Sequence, residues 1–240
     1  MNVKILKYVS PSIIYVLSFL SFRGEGWITW SPMIFTWILI PVTELFLKPD
    51  EKNMAAAEEA IAKKDRMYDY LLYAFVFLQF VALFFFLFML KSNTFSFWDT
   101  AGKIFSMGLL CGTFGINIGH ELGHRVNKFE QWLAKAALLS SLYMHFFIEH
   151  NKGHHKNVAT GADPSSSRIN EPVYFFYFRT IILSYLSAWK IANDEMRKKG
   201  LSIFNIKNEM VQVHFIQLVF LALILLAFSW AVTLYFLCAA

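Results

Sequence analysis

Long runs of apolar residues without charge, separated by clusters of Lys and Arg, constrain this chain more than any other feature. Residues 70–90 carry no charged side chain, and neither do residues 210–240. About 20 apolar residues in a helix cross a hydrocarbon layer of about 30 Å. In lipid the backbone must satisfy its own hydrogen bonds, which a helix does within one segment. The expected fold class is therefore all-α, a polytopic membrane helix bundle. Residues 8–22 and 26–43 flank Arg23-Gly24-Glu25-Gly26, a turn signal, and read as a helical hairpin over 8–47. Pro32 and Pro41 fall inside it, and membrane helices tolerate proline. Residues 67–119 read as two spans, 70–90 and 95–119, the second interrupted only by Asp99 and Lys103. Residues 210–240 would run to about 46 Å as one helix, too long for a single crossing. A fifth span, a turn near Ser229-Trp230 and the start of a sixth are expected over 208–240. The whole of 1–240 reads as one membrane-embedded domain that is incomplete at its C-terminus, because the chain stops inside an apolar stretch.

Composition supports that class. Charged residues make up 16% of the chain, against about 25% in soluble domains, too few to cover so small a globule. Cys111 and Cys238 are far apart in apolar blocks and suggest neither a disulfide framework nor a zinc ribbon. The net charge of +5 follows from loop placement rather than from a nucleic-acid partner. The segments 1–7, 48–66 and 120–207 hold 2, 5 and 12 of the 22 Lys and Arg, so the positive-inside rule puts all three in the cytoplasm. The N-terminus has no small-residue cleavage site and reads as a retained first helix. The charged, Ala- and Glu-rich stretch 48–66 reads as a solvated or interfacial helix. Within 120–207, residues 136–148 read as a half-buried helix and residues 172–189, rich in aromatics, as a helix lying at the interface.

Six of the seven histidines lie in 120–207. The first cluster is His120-Glu121-Leu122-Gly123-His124. Residues four apart share a helical face, so His120 and His124 can point at one metal. The second is Glu149-His150-Asn151-Lys152-Gly153-His154-His155, in which His150 and His154 share a face and His155 is turned about 100° away. So many imidazoles are costly to bury without a shared cation. Five imidazoles and no thiolate suit zinc, copper, iron or nickel, and they exceed the three protein ligands of a catalytic zinc. Two metals fit the count, as does one metal with further ligands elsewhere. Glu121, Glu149 and Asp163 are the carboxylates expected to balance the charge and orient the second ring nitrogens.

The segments His-Glu-Leu-Gly-His-Arg (120–125) and Glu-His-Asn-Lys-Gly-His-His-Lys-Asn-Val-Ala-Thr (149–160) resemble the first two histidine boxes of the integral-membrane alkane 1-monooxygenases, within the fatty acid desaturase and hydroxylase superfamily. The likeness continues through Asp163, Pro164 and Arg168. Gly161-Ala162 stand where the family has Pro-Glu, and Ser165-Ser166-Ser167 where it has Ala-Ser-Ala. The resemblance implies a non-haem diiron site with nine histidine ligands at the cytoplasmic foot of a six-helix bundle in the bacterial inner membrane. It implies insertion of one atom of O2 into the terminal C–H bond of a medium or long alkane, with electrons from NADH passing through a reductase and rubredoxin. Carried over, His120, His124, His150, His154 and His155 are five of the nine ligands, and no catalytic side chain is implied beyond the ligands. The other four belong to motifs this chain does not contain, while His145 and His214 match no ligand. As written, the chain is expected to be an inactive fragment.

Three other functions use part of the pattern. A related membrane lipid desaturase or hydroxylase would share the boxes, though the Val-Ala-Thr extension favours the alkane branch. An intramembrane zinc protease would use His120 and His124 as ligands and Glu121 as general base, leaving 150–155 without a role. A metal transporter would place its ligands inside the spans, which here are almost free of them.

Overall fold

The computed structural model describes residues 6–48 and 65–240, and among these every regular element is helical. The 48–66 reading falls almost wholly outside the described residues. After a short helical lead-in at 6–12 come α1 (Ile13–Arg23), α2 (31–44), α3 (Met67–Ser92), α4 (Phe97–Gly123) and α5 (Lys128–Leu139). They are followed by α6 (146–157), α7 (Val173–Lys198), α8 (Glu209–Ala227) and α9 (Trp230–Ala239). Three of them, α3, α4 and α8, are long and apolar enough to cross a membrane.

That is fewer spans than the apolar blocks predict, and the shortfall lies at the two ends of the chain. Pro11 sits in a 3-10 turn ahead of α1, and a further 3-10 turn, Gly26–Trp30, separates α1 from α2. Within α2 a wider π turn, Phe35–Leu39, lies between segments that carry Pro32 and Pro41 near their starts. Proline lacks the N–H that an uninterrupted helix would need. At the C-terminal end the chain breaks between α8 and α9, where Ser229 Oγ accepts from the Val232 N–H at 3.3 Å. This is the turn expected near Ser229-Trp230.

The chain divides into two compact units. The first comprises Met1–Ile118 and Phe228–Ala240. Its core is aromatic and aliphatic: Tyr15, Phe22, Leu83, Phe86, Leu87, Met107, Leu110 and Phe236 are almost fully buried. Helix α9 packs so closely on α4 that a Cβ on Gly108 would lie 3.1 Å from the Ala239 carbonyl oxygen, the small-residue contact typical of membrane helices. Lys103 is fully buried, and its Nζ donates to the carbonyl oxygens of Ser21 (3.0 Å) and Gly24. Asp99 Oδ1 accepts from the Gly26 N–H at 2.6 Å and Oδ2 from Ser96 Oγ at 2.7 Å. The two interruptions in the fourth apolar block thus tie the 23–26 turn to α4.

The second unit is Gly119–Ala227. The expected helix over 136–148 is broken. Helix α5 ends at Leu139, Ser140 Oγ turns back onto the Ala137 carbonyl at 2.7 Å, and Leu142 takes a left-handed φ of 48° before α6 begins. Helix α7 extends beyond the expected 172–189. It buries the small side chains Ser184, Ala188 and Ala192 and exposes Tyr174, Phe175, Phe178, Ile181 and Ile182.

Candidate metal centre

All the histidines lie in the second unit. Helix α4 carries His120 in its last turn and His124 just past its end. Their Nε2 atoms are 3.0 Å apart, as an i, i+4 pair on one face should be. The second box sits in α6, where residues His150–His154 form a π turn and the His155 N–H bonds to the His150 carbonyl. This i→i+5 closure widens the turn by one residue, and such turns cluster at functional sites. It sets His155 where an α-helix would have set His154: His155 Nε2 lies 3.0 Å from His150 Nε2, and His150 Nε2 lies 3.2 Å from His124 Nε2. One ring nitrogen from each of His120, His124, His150 and His155 falls within 4.8 Å of the others.

These four rings cannot satisfy one another. A neutral imidazole Nε2 has either one proton or one lone pair, yet His124 and His150 each face two partners. Protonation is also disfavoured. Burial, and then the neighbouring imidazoles, lower the pKa of His150 to about 3 and lower that of His124. Four imidazole nitrogens turned toward one another, without a thiolate, are a donor set that fits a divalent transition-metal ion.

His154, expected beside His150, remains stacked on it with ring centroids 5.2 Å apart, but its nitrogen is outside the quartet. His154 Nδ1 donates to Asp163 Oδ2 at 2.9 Å. A carboxylate only accepts, so Nδ1 carries the hydrogen, and in the neutral imidazole Nε2 then keeps the lone pair. The Asp163 side chain is fully buried. Burial works against its charge, but hydrogen bonds from Ser166 Oγ (2.5 Å) and the Ser165 N–H (2.9 Å), together with His154, outweigh it and hold the carboxyl below the usual range. Glu149 is also buried, with Ser187 Oγ 3.4 Å from its Oε1. Burial, and then the Asp163 charge, raise its pKa. Glu121 is exposed and pairs with Arg125 at 3.1 Å. The general base of a zinc protease would instead face the metal.

Three supports carried no recognisable sequence signal. Phe146 stacks on His150 at 17° and 4.7 Å. Arg179 forks onto Glu171 (2.6 and 2.7 Å) and also holds the carbonyls of Pro164 and Ser166, which fixes the loop bearing Asp163. Lys152, between the histidines of the second box, reaches Glu195 on α7 at 2.9 Å and Glu209 on α8 at 2.6 Å. Only Lys152 and Phe146 sit near the motif, and such packing depends on partners far along the chain.

Residues 100–240 match the family model described as fatty acid desaturase. The chain is 34% identical over 206 residues to alkane 1-monooxygenase 1 of Alcanivorax borkumensis. It is 33% and 35% identical over 208 residues to the alkane 1-monooxygenases of Ectopseudomonas oleovorans and Pseudomonas putida. Each alignment covers 85% of this chain and 51% of the relative, so the chain spans about half the length of the curated relatives it matches.

Proposed function

The chain belongs to the fatty acid desaturase family, and on that premise we propose that it is the histidine-box portion of a membrane monooxygenase that hydroxylates the terminal carbon of alkanes. The observation that carries the reading is the inward-facing quartet His120, His124, His150 and His155 in a stretch that aligns with alkane 1-monooxygenases. Those four residues would hold non-haem iron, with His154 as a fifth ligand oriented by Asp163 and serving a second iron. Bound iron supplies the activation of O2 that a terminal methyl group requires, since a C–H bond without a polar handle gives side-chain acids and bases nothing to act on.

The chain's own residues do the rest. Neutral imidazoles coordinate without first losing a proton. Asp163 fixes the His154 tautomer, and buried Glu149 lies beside the box as a carboxyl held toward its neutral form. Phe146 covers one face of His150 and excludes water from it. An alkane would reach the site from the membrane lipid. NADH-derived electrons would arrive through a reductase and rubredoxin, an acidic carrier suited to the Lys and Arg excess of a cytoplasmic 120–207 region.

Metal analysis of the detergent-solubilised chain, loaded anaerobically with Fe(II), tests the ligand assignment. Bound iron is expected in the wild type, and His150→Ala should lose it. Stoichiometric zinc with no affinity for iron would overturn the reading. The substrate class is tested by octane conversion to 1-octanol, with rubredoxin and reductase supplied, in a protein that carries this chain within its full-length relative's frame.

A further inference from the structure

A chain of aromatic rings leads away from the quartet into the interior of the second unit. Phe146 stacks on His150, and Tyr143 stacks on Phe146 at 5.7 Å. His145 lies edge-on to Tyr143 at 4.5 Å and edge-on to Tyr185 at 5.2 Å. Tyr185 and Trp189, one turn apart on α7, both lie against His214 of α8, at 5.6 and 5.2 Å. His145 is 8% exposed, and its Nε2 is buried without a hydrogen-bond partner. Neither His145 nor His214 has a part in the metal centre described above.

The protons at the inner end of this chain can be placed. His214 Nδ1 lies 2.7 Å from the Met210 carbonyl oxygen. A carbonyl only accepts, so Nδ1 carries the hydrogen, and in the neutral imidazole Nε2 then holds the lone pair. Tyr185 Oη lies 2.9 Å from that Nε2, and the phenol is therefore the donor. A phenol hydrogen-bonded to an imidazole lone pair can give up an electron without building positive charge on oxygen, because the proton crosses a bond already formed.

We propose that Tyr185 and His214 form a redox-active pair, connected to the quartet through Tyr143, His145 and Phe146, that withdraws an oxidising equivalent from iron held there. The proposal rests on the iron reading above. The step balances. One electron leaves the Tyr185 phenol and reduces the oxidised iron by one unit. The O–H bond breaks, its proton forms an N–H bond at His214 Nε2, and a neutral phenoxyl radical and an imidazolium remain. An external one-electron donor, together with that proton, restores the phenol. Such a pair protects the ligands when the iron is oxidised with no C–H bond in place to react.

The test uses the full chain in detergent, loaded anaerobically with Fe(II), with iron content measured before mixing with hydrogen peroxide and freeze-quenching for electron paramagnetic resonance. A transient tyrosyl signal is expected, narrowed when the protein is made with ring-deuterated tyrosine. Tyr185→Phe should abolish it at unchanged iron content. His214→Leu should diminish it by removing the proton acceptor, while Tyr174→Phe, at an exposed position on α7, should leave it intact. Bound iron with no tyrosyl signal, or a signal that survives Tyr185→Phe, overturns the pair and leaves the iron reading standing. A chain that binds no iron overturns both.

Discussion

Each compact unit gathers a polar cluster, buried in the first and half open to solvent in the second, and the two clusters are satisfied in opposite ways. In the first unit, Lys103 donates to two carbonyls, and Asp99 accepts from a backbone N–H and a serine hydroxyl. Every charge there has a partner of opposite character supplied by the chain. In the second unit, four imidazole nitrogens make three close contacts, and because each contact needs one proton and one lone pair, four single-valued nitrogens cannot fill them all. The first cluster is complete as folded and reads as architecture. The second is the one that, on the function proposed above, a cation would complete. A polar cluster thus signals function through the nature of what its members face, not through burial.

The largest effect that would break this comparison is expected in the first unit. Lys103→Met leaves the buried Ser21 carbonyl and the half-buried Gly24 carbonyl without that donor, and Asp99 without its cationic neighbour. Removing one side of a buried charged cluster costs about 3–5 kcal/mol, so thermal unfolding in detergent should show a large fall in Tm. Iron content in the fraction that remains folded should not change. A loss of iron binding as large as the loss of stability would mean that the two clusters are not separable.

The next effect falls on the metal centre and should leave stability nearly alone. Asp163→Asn keeps the size of the side chain but removes the charge that holds the His154 Nδ1 proton. Orienting carboxylates of this kind are worth about 10–100-fold in metal affinity. Competitive titration with a chromophoric chelator should register that loss, and unchanged affinity would remove Asp163 from the site. Glu121→Gln, at an exposed pair with Arg125, is the contrasting variant and should have no effect on affinity.

Acid provides a graded comparison of the two units. The folded pKa of His150 is about 3, below the ordinary imidazole value of 6.5, chiefly through burial. Above pH 6.5 neither the folded nor the unfolded state is protonated there, and stability does not change. As pH falls below 6.5 the unfolded state takes up protons that the folded state refuses, so stability drops, flattening only near pH 3. The first unit contains no histidine. Hydrogen exchange of the metal-free protein should therefore lose protection in 119–227 as pH falls through 6 and 5 before it does so in 67–118. Bound metal should shift that loss to lower pH, because it holds the imidazoles deprotonated.

Much of this was legible in the sequence because it follows from local pattern. The uncharged run 70–90 became α3, the block 95–119 became most of α4, and the break before Trp230 is where helix length required one. The His120–His124 pair follows from α-helical periodicity. What escaped depends on departures from that periodicity or on partners distant in sequence. The π turn at 150–154 exchanges His155 for His154 beside His150, and no residue type announces such a turn. Proline placed in successive short segments divided the N-terminal hairpin, which the apolar count alone could not reveal. Asp163 was visible as a carboxylate near the box, yet its bond to His154 depends on a loop held by Arg179, eight residues past Glu171 and on a different element.

The smallest expected effect sharpens the comparison from the other side. Lys152 resembles Lys103 in bridging separate elements, since its ammonium joins α6 to Glu195 of α7 and Glu209 of α8, and Lys135 of α5 adds a fourth element at 3.7 Å from Glu209. It differs in being about one-third exposed, so water screens its pairs and each is worth about 1 kcal/mol or less. Lys152→Met should lower Tm only slightly. It sits between His150 and His154 in the π turn, however, so relaxing its tether should loosen the ligand geometry more than the fold. A modest weakening of metal binding with little change in stability is expected, with Lys152→Arg restoring the affinity because arginine can keep both carboxylate contacts. A stability loss matching that of Lys103→Met would make Lys152 architecture of the first kind. A change in affinity that arginine does not restore would mean that side-chain shape, not charge, holds the second box in register.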